Sequence, residues 1–385
     1  MEFPKKLAKR LEERVDRDAL RRLPGPVSGV DFSSNDYLGL SKLPVVAEEA
    51  ARILRKSTPV GNGATGSRLL TGNHLLYAGT EAVLADFHRA EAALVFNSGY
   101  DANIGFFSSV PQRGDMVFYD EWIHASIRDG MQMGLADTYK FRHNDMADLE
   151  DKIARVIDRC ATKNLGGHCY IVTESVFSMD GDSPDLEAIA GLAEKYEAYL
   201  VVDEAHAVGV FGDQGEGLVQ EKGLQDRVFA RIVTFGKAMG CHGAAVLGAQ
   251  SLKDYLVNFA RSFMYTTAMP MHSLAVIQAA YSRLADAWPG QELRRNISFF
   301  KTVVEELGLT STFVDSDSSI HCCIVPGNEM VKKTALKLQE QGFEVKAILS
   351  PTVPAGQERL RFCLHSYNTE KEISEVLKLL ANFVL

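Results

Sequence analysis

The chain has 385 residues, 46% of them hydrophobic and 24% charged, proportions that exclude disorder, collagen-like repeats and coiled coil as overall descriptions. Forty-one basic side chains face fifty acidic ones, a formal charge of −9, where a nucleic-acid binder would show a basic stripe for phosphates. Six cysteines are too few for a disulfide scaffold. Cys322 and Cys323 are adjacent and Cys160, Cys169, Cys241 and Cys363 stand apart, so no metal pattern arises and reduced thiols in a cytoplasmic protein are expected.

The first residues lack the apolar core of a signal peptide, and Glu12, Glu13, Asp16 and Asp18 speak against a transit peptide. The spacing of Leu7, Leu11, Val15 and Leu20 predicts one amphipathic helix docked on the body. Residues 61–66 spell GxGxxG. A dinucleotide site needs a strand before that motif and a helix after it. Lys56-Ser57-Thr58-Pro59 and Ser67-Arg68-Leu69-Leu70 supply neither, so a glycine-rich loop against a ligand or a dimer partner is expected.

From about residue 90 to 250, apolar runs alternate with amphipathic stretches. Residues 93–96, 116–119, 170–174, 199–203, 232–235 and 244–247 read as buried strands, and 148–159 and 185–196 as helices. That rhythm predicts an α/β fold with a mostly parallel sheet covered by helices. Residues 262–282 carry no charge and are long enough to span a bilayer. Thr266, Thr267, Pro270, His272, Ser273 and Gln278 make them too polar for lipid, so a buried turn and then a helix over 274–288 are predicted instead, stopped by Pro289-Gly290. Beyond 290, strands at 320–325 and 359–365 and helices at 329–341 and 370–385 suggest a smaller α+β domain. The chain then divides into an N-terminal arm (1–40), a large domain (41–290) and a small C-terminal domain (291–385).

Asp203-Glu204-Ala205-His206 spells a helicase box, but that chemistry needs a P-loop, and Gly236-Lys237 is followed by Ala238 rather than Ser or Thr. Asp203 ends an apolar strand, where open α/β sheets place ligand-binding residues; a plain cap on the next helix is the alternative. Lys237 follows a buried strand between small residues, an unusual place for lysine. A lysine in a partly desolvated pocket has a lowered pKa and forms Schiff bases. Pyridoxal phosphate needs such a lysine for its aldehyde, a carboxylate for its ring nitrogen, and hydroxyls and N–H groups for its phosphate. Ser98, Gly99 and Tyr100 open a helix after one strand and suit the phosphate. His124 follows another strand and would lie over the ring, or is simply packed. Ser178 follows a third and offers a hydroxyl.

Taken with Asn35-Asp36-Tyr37-Leu38-Gly39-Leu40, Thr234-Phe235-Gly236-Lys237, Pro351-Thr352-Val353-Pro354 and Arg359-Leu360-Arg361, the chain resembles the α-oxoamine synthases, fold-type I pyridoxal-phosphate enzymes, over nearly its whole length. The resemblance implies that Lys237 forms the Schiff base and Asp203 pairs with the pyridinium nitrogen. It implies that His206 and Ser178 bond the ring hydroxyl and that His124 stacks on the ring. Ser98, Gly99, Tyr100 and Thr234 would surround the phosphate, and Thr266 would serve the phosphate of a neighbouring subunit in a homodimer. Asn35 and Arg361 would hold an amino-acid carboxylate. The implied reaction is a decarboxylative Claisen-type condensation of a small amino acid with an acyl thioester, carried by coenzyme A or an acyl carrier protein. Lys237 would remove the α-proton, and His124 or His206 would polarise the thioester or keto oxygen.

The most similar members use L-alanine and a pimeloyl thioester in biotin synthesis. Serine or glycine with another acyl thioester, as in serine palmitoyltransferase, is the alternative within the family; a non-catalytic PLP-fold binding protein is the alternative of another class. Ser366-Tyr367-Asn368-Thr369 departs from the family's usual ending after Arg361, which bears on the substrate pocket. The basic residues of the arm, 5–22, are a candidate contact for an anionic thioester carrier.

Overall fold

The computed structural model describes all residues except 1, 2, 18, 22, 24, 26–28, 58–60, 163–165 and 385, and of residues 160–162 it describes no side chain. Expectations that involve Asp18, Arg22, Thr58, Pro59, Leu385 and the thiol of Cys160 therefore lie outside the described residues. Among those described, the strands in chain order are β1 (Val30–Asp31), β2 (Ala92–Phe96), β3 (Met116–Asp120), β4 (Asp137–Phe141), β5 (Cys169–Glu174), β6 (Tyr199–Asp203), β7 (Ala230–Thr234), β8 (Ala244–Gly248), β9 (Ile320–Ile324), β10 (Phe343–Glu344), β11 (Lys346–Ile348) and β12 (Arg359–Cys363). The chain forms two compact units, one of residues 36–178 and 183–291, the other of 1–35, 179–182 and 292–385.

The larger unit is built on a seven-stranded sheet in the order β2-β8-β7-β6-β5-β3-β4. Its central strands are apolar on both faces because helices cover both. Alternate side chains feed two separate cores. Val117, Val172, Val201 and Ile232 join Phe106 and Ile127 on one face. Phe118, Ile171, Leu200 and Val202 join Ile153 and Ile189 on the other. Fully burying a side chain of this size is worth about 1.5–3 kcal/mol, so these two layers are the main support of the sheet. β4 is the strand that apolar runs do not reveal. It lies at the sheet edge, and most of its residues (Asp137, Thr138 and Lys140 among them) face solvent. The helix Leu186–Lys195 starts where Asp185 accepts a hydrogen bond from the Ala188 N–H at 2.9 Å, an N-cap of ordinary chemistry.

The glycine motif at 61–66 has no strand before it and no helix after it among the described residues. It leads into a tight turn in which the Leu70 and Gly72 N–H groups donate to the Ser67 carbonyl at 3.0 and 2.9 Å, while the distant Ala268 N–H donates to the Gly66 carbonyl at 3.0 Å. A Cβ at Gly72 would lie 2.3 Å from that same carbonyl oxygen, so close backbone approach explains the glycine there. The uncharged stretch resolves into the helix Arg261–Met264, a turn, and the helix Met271–Ala287. The turn is only partly buried: Ala268 and Met269 are inside, while Tyr265 is 71% exposed. Among the described residues no helix is long and apolar enough to cross a membrane.

The smaller unit has an antiparallel sheet β11-β12-β9 and a parallel pair β1-β10, with the helices Asn328–Glu340 and Glu370–Val384. Phe32, Phe300 and Phe362 are buried at its centre. The guanidinium of Arg359, also buried, pairs with Asp180 and donates to the Met179 carbonyl at 3.2 Å. The helix Lys5–Asp16 forms, but the expectation that it docks is corrected. It buries no residue, and Leu7, Leu11 and Val15 are all about half exposed. Its apolar stripe is one side chain wide, and covering it would also strip water from the lysines, arginines and glutamates on either side.

Candidate active site

β8 runs antiparallel to β2 and β7, and β3, β5, β6 and β7 are mutually parallel. The chain segments leaving β2, β3, β5, β6 and β7 therefore emerge along one edge of the sheet, where open α/β sheets bind ligands. Ser98, Gly99 and Tyr100 follow β2, His124 follows β3, and Ser178 lies in the turn after β5. Asp203 is the last residue of β6, with His206 just beyond; Thr234 ends β7, and Lys237 follows it.

Asp203 is 5% exposed. Its Oδ1 accepts from the Ala205 N–H at 3.0 Å and its Oδ2 from Asn103 Nδ2 at 2.9 Å. Asn103 Nδ2 also donates to Ser126 Oγ at 2.9 Å, and that hydroxyl lies 2.7 Å from His124 Nδ1. A continuous polar chain thus joins Asp203 to His124. His206 is buried, and Tyr37 OH lies 2.8 Å from its Nδ1. The sequence reading passed over Asn103, Ser126 and Tyr37 as site residues. Tyr37 stands within a quoted motif, but nothing local marks Asn103. Its role arises from packing of the helix Gly99–Phe107 against Ala125–Met133.

Lys237 is half-buried in the loop that turns from β7 to β8. The Gly240 N–H donates to the Lys237 carbonyl at 2.8 Å, and the Cys241 N–H to the Phe235 carbonyl at 2.7 Å. The Lys237 ammonium acts electrostatically on both His124 and Glu174, and so does Asp203. His124 is open to solvent on one side. The protein packed behind it nevertheless lowers its pKa, with Asp203 opposing the shift and Lys237 adding to it. Glu174, 3% exposed, accepts from the His124 backbone N–H at 2.5 Å. Burial raises its pKa, the Asp203 carboxylate adds to the rise, and Lys237 and the His124 N–H oppose it.

At the other end of the row, Ser98 caps the helix Gly99–Phe107 by accepting from the Asp101 N–H at 3.0 Å. That cap leaves the N–H groups of Gly99 and Tyr100 without partners among the described residues. A Cβ at Gly99 would lie 2.6 Å from Thr234 Cγ2, so glycine lets the helix start meet Thr234. The Tyr100 hydroxyl donates to Asp129 Oδ2 at 2.7 Å. Thr266 Oγ1 accepts from Asn97 Nδ2 at 3.1 Å within the same chain. Helix N–H groups, a lysine and a buried carboxylate in one row fit a phosphorylated pyridine aldehyde, which needs each of them.

In the smaller unit, Arg361 is 6% exposed and its Nη2 donates to Asn35 Oδ1 at 3.1 Å. The two residues expected to hold a carboxylate thus stand together. In the unusual 365–369 segment His365 is buried; its Nδ1 lies 3.0 Å from Asn368 Oδ1 and its Nε2 3.1 Å from the Ser34 carbonyl. The departure at Asn368 therefore works as internal support for His365. A separate cavity of about 630 Å³ in the larger unit, lined by Asp86, Arg89, Glu216 and Tyr281 among others, contains none of the expected site residues.

Residues 27–380 match the family described as aminotransferase class I and II. The 8-amino-7-oxononanoate synthase of Emericella nidulans is 41% identical over 388 aligned positions, covering 98% of this chain and 94% of that protein. Among solved structures, a serine palmitoyltransferase with a PLP internal aldimine superimposes with a TM-score of 0.86 at 26% identity, covering 98% of this chain and 96% of the other. The 8-amino-7-oxononanoate synthase of Francisella tularensis superimposes with a TM-score of 0.77 at 28% identity, covering 92% and 97%. The backbone is thus that of the fold-type I PLP transferases.

Proposed function

This chain belongs to the aminotransferase class I and II family, and we propose that it is a PLP-dependent acyltransferase that condenses L-alanine with a pimeloyl thioester. The products are 8-amino-7-oxononanoate, carbon dioxide and the free carrier, coenzyme A or acyl carrier protein. It works as a homodimer in the cytoplasm, where its five described cysteines remain free thiols. The observation that carries this reading is the convergence of Lys237, Asp203 and His124 along one sheet edge, in a chain so similar to enzymes of that name.

Bound there, pyridoxal phosphate supplies an aldehyde that links to amines and a pyridinium ring that draws electrons from the substrate α-carbon. Asp203, held by Asn103 and the Ala205 N–H, keeps the ring nitrogen protonated. The Gly99 and Tyr100 N–H groups, with the hydroxyls of Ser98 and Thr234, receive the phosphate, and Thr266 serves the phosphate of the neighbouring subunit. His206 and Ser178 bond the ring hydroxyl. His124, whose pKa is lowered by the protein packed behind it, would lie on the ring face. Lys237 would anchor the aldehyde and would take the α-proton of the amino acid on Nζ. Asn35 and Arg361 bind the amino-acid carboxylate.

The experiment is reconstitution with PLP. The protein should gain a visible absorption band that borohydride bleaches, Lys237→Ala should lack it, and alanine with pimeloyl thioester should release carbon dioxide. A wild-type protein with no such band overturns the reading. A second reading, serine with a long-chain thioester, draws on the backbone likeness to serine palmitoyltransferase. Substrate choice rests on side chains more than on backbone, and the higher sequence identity favours alanine. Carbon dioxide release with serine and a long acyl chain, and not with alanine, reverses that order.

A further inference from the structure

We propose that Glu174 is the positioning residue for His124: its carboxyl, at the end of β5, holds the loop after β3 by the His124 backbone N–H and so sets the ring that meets the cofactor. The inference rests on the reading above, in which His124 lies on the face of pyridoxal phosphate.

The loop between Asp120 and the helix Ala125–Met133 is fixed in two halves. Its first half belongs to Asp120, whose Oδ1 accepts from the Trp122 N–H at 2.8 Å and lies 2.9 Å from His143 Nδ1. The Trp122 ring stacks on that imidazole with centroids 3.9 Å apart and planes 20° from parallel. The second half is tied across to the neighbouring strand by the 2.5 Å hydrogen bond from the His124 N–H to Glu174 Oε1. Glu174 stands in register with Asp203 on the adjacent strand, so the carboxylate proposed for the ring nitrogen and the support of the stacking histidine share one rung of the sheet. Ser126 completes the fixing, with its Oγ 2.7 Å from His124 Nδ1 and its N–H 3.2 Å from it.

The groups facing Glu174 are the carboxylates of Asp203 and Asp120, the Lys237 ammonium and the His124 backbone N–H. A carboxyl buried between two carboxylates disfavours its own charge. What the His124 N–H needs is therefore an acceptor oxygen, and a neutral one suffices. Glu174→Gln keeps that oxygen; Glu174→Ala removes it and leaves a backbone N–H unmade.

The test is a double-mutant cycle read by the dissociation constant of PLP and by the visible circular dichroism of the bound cofactor. His124→Ala should weaken PLP binding about 10-fold through loss of the ring on the cofactor face, and Glu174→Ala about 10-fold, the scale of one lost buried hydrogen bond. If Glu174 acts through His124, the double variant should be weaker by about 10-fold as well, rather than the about 100-fold of independent sites. Glu174→Gln should bind within about 2-fold of wild type and keep its dichroism, since the acceptor survives. Multiplying effects, wild-type binding by Glu174→Ala, or a loss in Glu174→Gln as large as in Glu174→Ala would each overturn the proposal. Should Glu174→Ala not fold, Glu174→Asp, whose carboxyl falls one methylene short, takes its place under the same criteria. A wild-type protein that binds no PLP would instead count against the functional reading itself.

Discussion

Asp203 illustrates how much of the site's chemistry depends on a neighbour that no motif announces. Its carboxylate is buried with two donors, and one of them is Asn103, 100 residues earlier in the chain. Hydrogen bonds to charged groups contribute about 1.5–3 kcal/mol, so Asn103 steadies the carboxylate that, in the proposed site, would meet the pyridinium nitrogen. Asn103→Ala should weaken PLP binding by roughly 10- to 100-fold on that scale. Equilibrium titration of the apo-protein, followed by the visible band, measures it. Asn103→Asp should be worse, because it sets a second carboxylate against Asp203.

At the level of strands and their connections, the notable device is the pair formed by Glu204 and Arg231. Glu204 follows β6, Arg231 lies on β7, and both are almost fully buried. Arg231 Nε donates to Glu204 Oε2 at 2.7 Å; its two remaining nitrogens donate to the His88 carbonyl at 2.9 Å and the Glu216 carbonyl at 3.0 Å. The second Glu204 oxygen accepts from the Val219 N–H at 2.9 Å. The pair ties the strand end that carries Asp203 to the strand that leads to Lys237. Removing one partner strands a buried charge, at about 3–5 kcal/mol. Arg231→Met should therefore lower the urea midpoint strongly, and adding Glu204→Leu should recover part of the loss. A single variant with an unchanged midpoint would contradict this account.

For the molecule as a whole, acid stability follows from a buried imidazole on β9. His321 is 3% exposed, and its ring lies 4.7 Å from that of Phe300. Burial, helped by Lys301, lowers its pKa to about 3 from an ordinary 6.5. Because the folded value lies below the unfolded one, the stability it contributes is complete above pH 6.5 and is lost as pH falls from there toward 3. The slope in that window approaches about 1.4 kcal/mol per pH unit for one proton. His88, also buried and lowered by burial and by Arg231, loses stability in the same direction. The difference between wild type and His321→Gln isolates His321. Chemical denaturation between pH 7 and 4 should show a shallower decline in the variant, and parallel curves would refute the assignment. Burial likewise favours the neutral form of Cys241, whose pKa is pushed up to about 12, and of Cys323, pushed up to about 11, which leaves little thiolate there near neutrality.

Local patterns were enough for six of the seven strands of the central sheet. Apolar runs of four to six residues ended by small or polar ones mark β2, β3 and β5 to β8, because strands buried on both faces cannot hide their composition. The same logic singles out Lys237 and Asp203 as candidates, since a lysine among small residues and an aspartate at a strand end are visible without knowing what surrounds them. β4 was hidden because an edge strand need not be apolar, and the helix Lys5–Asp16 was legible as a helix but not in what it leaves exposed. Tertiary structure alone decided the support of the site. Asn103 meets Asp203 across 100 positions, and Glu174 meets the His124 N–H across 50. Period and composition act over a few residues, whereas a buried carboxyl or amide takes whatever donor the packed neighbours bring within 3 Å. The −9 charge and ordinary composition of the chain therefore bounded its class, and its motifs bounded its chemistry; which side chains hold that chemistry in place was settled by folding, because only folding removes water from them.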